Sequence, residues 1–187
     1  MNDIVYSETT HKPNAHRHII SAMVENETGV LARVIALFAA RGYNIESLTV
    51  AEVDAKERVS RITVVTTGDD MIIGQIKAQL ERLIPVHSVY DLTMECKYVE
   101  RELALIKVRS SGAKRVEALR IADIFRARVV DITTQSFIFE ITGECEKIDT
   151  FIEMMRPLGL INIARTGVVA VSRGPSNLRD KKKFTSS

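Results

Sequence analysis

The sequence predicts an α+β fold in which one βαββαβ plan is used twice. Apolar runs with strand character alternate with stretches of helical periodicity, in the order strand, helix, two strands, helix, strand. That order occurs twice, and Gly29 and Gly112 mark the same first turn 83 residues apart. With 187 residues, 45% of them apolar and 27% charged, the chain suits two small packed domains and not a disordered polymer.

Each element has its own signal. His18 to Val24 is short, apolar and partly alternating, as a buried strand should be, and Glu25 to Gly29 supplies turn and capping residues. Val30, Val34, Leu37 and Phe38 then fall on one face of a helix that stops at Gly42. Ile45 to Val53 and Val59 to Thr67 are β-rich runs joined by the polar stretch Asp54 to Arg58, the pattern of a hairpin. Ile73, Ile76, Leu80, Leu83 and Ile84 mark a second amphipathic helix ended by Pro85, and Val86 to Met94 supplies the last strand.

The second unit repeats the order. Leu103 to Arg109 is a strand and Ser110-Ser111-Gly112 a turn; Ala118, Ile121, Ala122 and Phe125 follow at helical spacing. Val129 to Thr133 and Ser136 to Gly143 read as strands, with Phe137, Phe139 and Ile141 on one face of the latter. Ile148, Phe151, Ile152 and Met155 build the final helix, and Leu160 to Val171 closes the sheet. The expectation is two tandem ferredoxin-like domains, each an antiparallel sheet with both helices on one face, joined at Glu95 to Arg101.

Composition excludes several function classes. The longest apolar run, Val34 to Ala40, is far short of the ~20 residues that span a bilayer, so no membrane partner is expected. The polar N-terminus lacks a signal core, and Cys96 and Cys145 form no CxxC, which suits a cytoplasmic protein. From Arg173 onward five basic residues face one acid, so the body is slightly acidic and offers no basic stripe for nucleic acid. The nine glycines never come closer than six positions, which rules out dinucleotide and P-loop fingerprints. There is no HExxH, GxSxG or EF-hand loop. His16 and His18 share one strand face and are read as a solvated edge, not a metal site. By elimination the chain reads as a binding or regulatory module.

The two copies differ most at the first turn, Glu25-Asn26-Glu27-Thr28-Gly29-Val30-Leu31 against Arg109-Ser110-Ser111-Gly112-Ala113. A helix N-terminus offers unpaired N–H groups and a positive dipole end, and so holds a carboxylate. Gly29 lets a ligand approach the backbone, and Asn26 carries both a donor and an acceptor for an amino acid's ammonium and carboxylate. The same residues also fit a plain turn with Thr28 capping the helix. The second copy has no Asn there, so any ligand site is expected in the first.

Those residues resemble the ACT domain, a ferredoxin-like module that binds amino acids where paired domains meet. Val24-Glu25-Asn26-Glu27-Thr28-Gly29-Val30-Leu31-Ala32-Arg33 and the following Phe38-Ala39-Ala40-Arg41-Gly42-Tyr43-Asn44-Ile45-Glu46-Ser47-Leu48-Thr49-Val50 are similar to the small, regulatory subunits of acetolactate synthase. Val99 to Val108 and the closing Ala164-Arg165-Thr166-Gly167-Val168-Val169-Ala170-Val171-Ser172-Arg173-Gly174 extend the resemblance over about residues 17–174. It implies a flexible leader at 1–16, an ACT domain at 17–94, a related C-terminal domain at 95–173 and a basic flexible tail at 174–187.

The resemblance implies a non-catalytic chain in branched-chain amino-acid biosynthesis. Its partner is a large catalytic subunit that carries thiamine diphosphate, Mg²⁺ and FAD, while this chain binds no cofactor. It implies activation of that subunit and feedback inhibition by a branched-chain amino acid, with valine expected, and a homodimer through the ACT domain. The chain lacks the Gly-Asp-Gly motif with its later Asn that thiamine diphosphate needs; Gly68-Asp69-Asp70 is a near miss. By motif position Asn26, Gly29, Val30, Leu31 and Ala32 form the effector loop, and Asn44 and Ile45 the facing segment from a neighbouring protomer. Relatives often carry serine where this chain has Ala32, so a hydrogen bond of about 0.5–1.5 kcal/mol is absent. A free-standing ACT-type sensor controlling another enzyme is the alternative reading.

Overall fold

The computed structural model describes residues 15–40 and 42–175. Most of the expected leader and tail, and Arg41, lie outside these. The first unit comprises β1 (His16–Glu25), α1 (Val30–Ala39), β2 (Ser47–Asp54), β3 (Val59–Gly68), α2 (Asp70–Leu80) and β4 (Val86–Asp91). Its strands are ordered β2-β3-β1-β4, with antiparallel neighbours throughout. Alternate residues of β1 and β3 (Ile20, Ala22, Val24, Ile62, Val64) point to one face. There they pack on Val30, Val34 and Phe38 of α1 and on Ile73, Ile76 and Leu80 of α2.

A one-turn helix α3 (Leu92–Glu95) leads to β5 (Tyr98–Arg109), α4 (Gly112–Phe125), β6 (Arg128–Ile132), β7 (Ser136–Gly143), α5 (Cys145–Gly159), β8 (Leu160–Arg165) and β9 (Val169–Ser172). The second sheet has the order β6-β7-β5-β8, the same plan as the first. Phe137, Phe139 and Phe151 are fully buried at its centre, and Phe139 meets Phe151 edge-on at 6.0 Å.

Four boundaries differ from the sequence expectation. The second helix ends at Leu80, and Ile84 is 96% exposed instead of lying on an apolar face. Pro85 disfavours helical geometry in the residue before it, so the apolar spacing there has no helix to follow. The expected strand Val86 to Met94 stops at Asp91, whose Oδ1 accepts from Thr93 N–H and caps α3. Tyr98 to Arg101, expected in the join, is the start of the 12-residue strand β5. The closing run Leu160 to Val171 is two strands, because Gly167 takes φ +81 and turns the chain back so that β9 pairs Tyr98–Arg101.

That turn fastens the units together. Val168 and Ala170 pack with Ile19, Val65, Tyr90 and Leu92 in a third apolar cluster on the helix-free face of the first sheet. Val168 N–H donates to Ser47 Oγ at 2.8 Å, and a Cβ at Gly167 would come within 2.7 Å of that same oxygen.

Candidate functional site

At the β1–α1 turn, Gly29 occupies the N-cap position at φ +89, and no side chain caps α1. Thr28 therefore does not play the capping role its type permits. A Cβ at Gly29 would meet nothing within 4 Å, so the glycine answers to backbone conformation, not to crowding. The first amides of α1 have no intrahelical acceptor and lie beside exposed Gly29 and Leu31. Asn26 is exposed, and its Nδ2 donates to Glu52 Oε1 at 3.0 Å. Its main chain is tied to Arg58 in both directions: Asn26 N–H donates to the Arg58 carbonyl at 2.6 Å, and the Arg58 guanidinium donates to the Asn26 carbonyl at 3.3 Å.

The turn thus leads Asn26, which is bonded to Glu52, into the start of α1, with Glu25 and Glu27 in the same turn and Val30 N–H bonded to the Glu27 carbonyl at 3.4 Å. A positive helix end next to acidic side chains matches the two opposite charges of an amino-acid backbone. Val30 is buried under the turn, while Leu31 and Ala32 present exposed side chains on the first turn of α1.

Asn44 and Ile45 lie elsewhere in the chain. The Asn44 carbonyl accepts from Thr66 Oγ1 at 2.7 Å, and Thr66 pairs with His18 near the start of β1. Asn26 follows the far end of that strand. Eight residues of strand at ~3.3 Å each separate the two levels, roughly 26 Å. Within one chain, then, Asn26, Gly29, Val30, Leu31 and Ala32 come together, and Asn44 with Ile45 stands at the opposite end of the sheet. Ile45 is half-buried against the first core.

Sequence reasoning missed three constellations. His18 is fully buried because β1 is central in the sheet, not an edge; its Nδ1 meets Asp91 Oδ2 at 2.7 Å and its Nε2 faces Asp70 Oδ1 at 3.5 Å. Alternation along β1 places His18 on the face of Ile20 and Ala22, a signal that was available. Among the described residues no cluster of three or more His, Cys, Asp or Glu could hold a metal.

The second constellation lines a cavity of about 600 Å³ between the units. Arg17 donates to Glu100 at 2.8 and 3.2 Å, and Arg165 donates to Glu102 at 2.5 and 2.8 Å and to Asp149 at 2.6 Å. Burial alone would raise the Glu102 carboxyl, but hydrogen bonds and charge from Arg165 outweigh it and hold it below its ordinary value. Arg165 is correspondingly raised, chiefly through its hydrogen bonds to Glu102. Burial pushes the Cys145 thiol up, and Glu102 adds to the effect, so this cysteine is a poor nucleophile. The third is a cavity of about 350 Å³ at the β5–α4 turn, lined by Arg109, Ser110, Ser111, Lys114, Gln135, Leu158 and Gly159.

Comparison with known proteins places this geometry in a family. Residues 20–88 match the family described as the AHAS small subunit-like ACT domain, and residues 101–174 the family described as the small subunit of acetolactate synthase. The probable acetolactate synthase small subunit of Archaeoglobus fulgidus is 47% identical over 84% of this chain and 98% of its own length. The acetolactate synthase small subunit of Haemophilus influenzae is 43% identical over 87% of this chain and 99% of its own. The crystal structure of the small subunit from Thermotoga maritima superposes with a TM-score of 0.77 at 39% identity, covering 86% of this chain and 99% of that one. The chain belongs to the acetolactate synthase small-subunit family, and its first unit is that family's ACT domain.

Proposed function

We propose that the chain is the regulatory partner of a thiamine-diphosphate-dependent acetolactate synthase catalytic subunit, which it activates and makes sensitive to a branched-chain amino acid, valine first among them. Thiamine diphosphate, Mg²⁺ and FAD belong to the catalytic subunit in this reading, and this chain supplies the effector site. The observation that carries it is the uncapped, glycine-started α1 that follows the exposed Asn26, in a chain of this family.

The second half of the site comes from a second copy of the chain. β2 is an edge strand with exposed Val50 and Val53, and α1 beside it exposes Leu31 and Ile35. Edges of this kind need covering, and a two-fold axis pairs β2 with its own copy in antiparallel fashion. Antiparallel pairing sets the Ser47 end of one strand against the Asp54 end of the other. Asn44 and Ile45 of the second copy then approach Asn26 and Gly29 of the first, which the ~26 Å separation forbids within one chain. The α1 amides take the effector's carboxylate, Asn26 and Asn44 its polar groups, and Ile45 its branched side chain.

The purified chain, supplied with pyruvate, thiamine diphosphate, Mg²⁺ and FAD, is expected to form no acetolactate and to raise the rate of its cognate catalytic subunit. Turnover by the chain alone, or a catalytic subunit indifferent to its addition, overturns the assignment. A pull-down with the catalytic subunit as main partner separates this reading from a free-standing sensor.

A further inference from the structure

The second unit keeps the plan of the first but reverses the charge of its first turn. Where the first has Glu25 and Glu27, the second has Arg109 before the turn and Lys114 and Arg115 in the first turn of α4, with no acid there. The helix runs 14 residues from Gly112, and its N-cap residue Ser111 makes no side-chain capping bond. Its first amides are left without an intrahelical acceptor, at the positive end of a long dipole.

A second observation comes from Ser110. This residue is 4% exposed and lines the 350 Å³ cavity, and its buried Oγ has no hydrogen-bond partner. A buried hydroxyl left unpaired is costly, and its natural remedy is a ligand that accepts its proton. No Asp or Glu lines the cavity. Lys114 also lines the cavity, and its Nζ spends one of its three N–H bonds on the Pro157 carbonyl at 3.0 Å, leaving two donors. Arg115 is fixed over Phe137 at 4.0 Å and adds charge from the same helical turn. The far wall is set by Gly159 at φ +107, where any Cβ would lie 2.1 Å from the Arg109 carbonyl.

We propose that the β5–α4 turn binds a phosphate group, as inorganic phosphate or as the head of a small phosphate monoester, held by the α4 amides, Ser110, Lys114 and Arg109. Amides at a helix start, a serine hydroxyl and a lysine point charge are the donor set phosphate oxygens require. The volume admits a phosphate and a short organic appendage but not a large cofactor. The effector loop of the first unit is a separate site of opposite charge, so either site stands or falls without the other.

The test is calorimetric titration of the full chain with inorganic phosphate and, separately, with glycerol 3-phosphate, with amide NMR shifts recorded alongside. Saturable binding at one site per chain is expected, with shifts concentrated at Ser111 to Lys114. Lys114→Ala should weaken it about tenfold and Ser110→Ala severalfold, each loss being one charge-assisted or hydroxyl hydrogen bond. Ser110→Ala removes an unpaired buried hydroxyl, so its melting temperature should hold or rise, which separates lost binding from lost folding. Arg128→Ala, on an exposed strand of the same unit, serves as the control for diffuse charge and should bind as the wild type does. Tighter binding of glycerol 3-phosphate identifies the ester as ligand, and equal binding the free anion. No saturable binding of either probe, wild-type affinity in both Lys114→Ala and Ser110→Ala, or an equal loss in Arg128→Ala overturns the proposal.

Discussion

At Gly29 the φ of +89 and the open space around it decide what a substitution does. Gly29→Asp strains the backbone and sets a carboxylate where the effector's own carboxylate must sit, a combined cost of about 2 kcal/mol or more in effector affinity. Inhibition should be lost and activation kept in assays with the catalytic subunit; lost activation with intact inhibition would move the turn to the subunit contact. Glu102 yields a second residue-scale expectation. Its carboxyl lies below its ordinary value of 4.5, so the folded state binds this proton less readily than the unfolded chain. Its contribution is therefore full above that range and is lost as pH falls through the lowered value. Glu102→Gln should cost about 2 kcal/mol near neutrality, and the gap to wild type should narrow below about pH 4.5, read from denaturant midpoints across pH. Residue types alone leave the β1–α1 turn open between a plain turn and the proposed effector loop, and the family resemblance tips the reading, because a glycine, an asparagine and a helix start within seven positions serve either. Glu102 with Arg165, and His18 with Asp91, were not legible in this way, because each pair joins residues more than 60 positions apart.

At the scale of elements, periodicity located the helices and strands of the repeated βαββαβ plan, and it failed where the chain changes partners, reading the one-turn α3 as strand and β8 and β9 as one. The run Leu160 to Val171 is mostly apolar, yet a left-handed glycine splits it into strands that pair different parts of β5. Apolar content could not reveal this, since both halves are buried in part, one against each unit. The edge strand β2 and the exposed apolar positions of α1 yield the element-scale expectation. Light scattering should give about twice the 20.9 kDa of one chain. Val50→Lys, a charge on the exposed edge, should shift the mass toward one chain and abolish effector binding while leaving the circular dichroism spectrum intact. A wild-type monomer at micromolar concentration would remove the second half of the proposed site.

Across the whole molecule, β9 and the cluster of Ile19, Val65, Tyr90, Leu92, Val168 and Ala170 make the two units share a core. Val168→Ala should cost about 2 kcal/mol, two methyl groups at ~0.8 kcal/mol each plus the space they leave, and should lower the melting temperature of both units together. Separate transitions in the wild type would show the units to be independent. The regulatory reading rests on the effector site being completed by a second copy, and complementation tests that most directly. Gly29→Asp damages only the loop half and Asn44→Ala only the facing half. An equimolar mixture of the two variants, unfolded and refolded together, places half the chains in mixed dimers, each with one intact site. Calorimetric titration of that mixture with valine, and with leucine and isoleucine, should recover wild-type affinity at about one quarter of the wild-type number of sites, while each variant alone binds weakly. A mixture that binds no better than its two components would contradict a site shared between two chains.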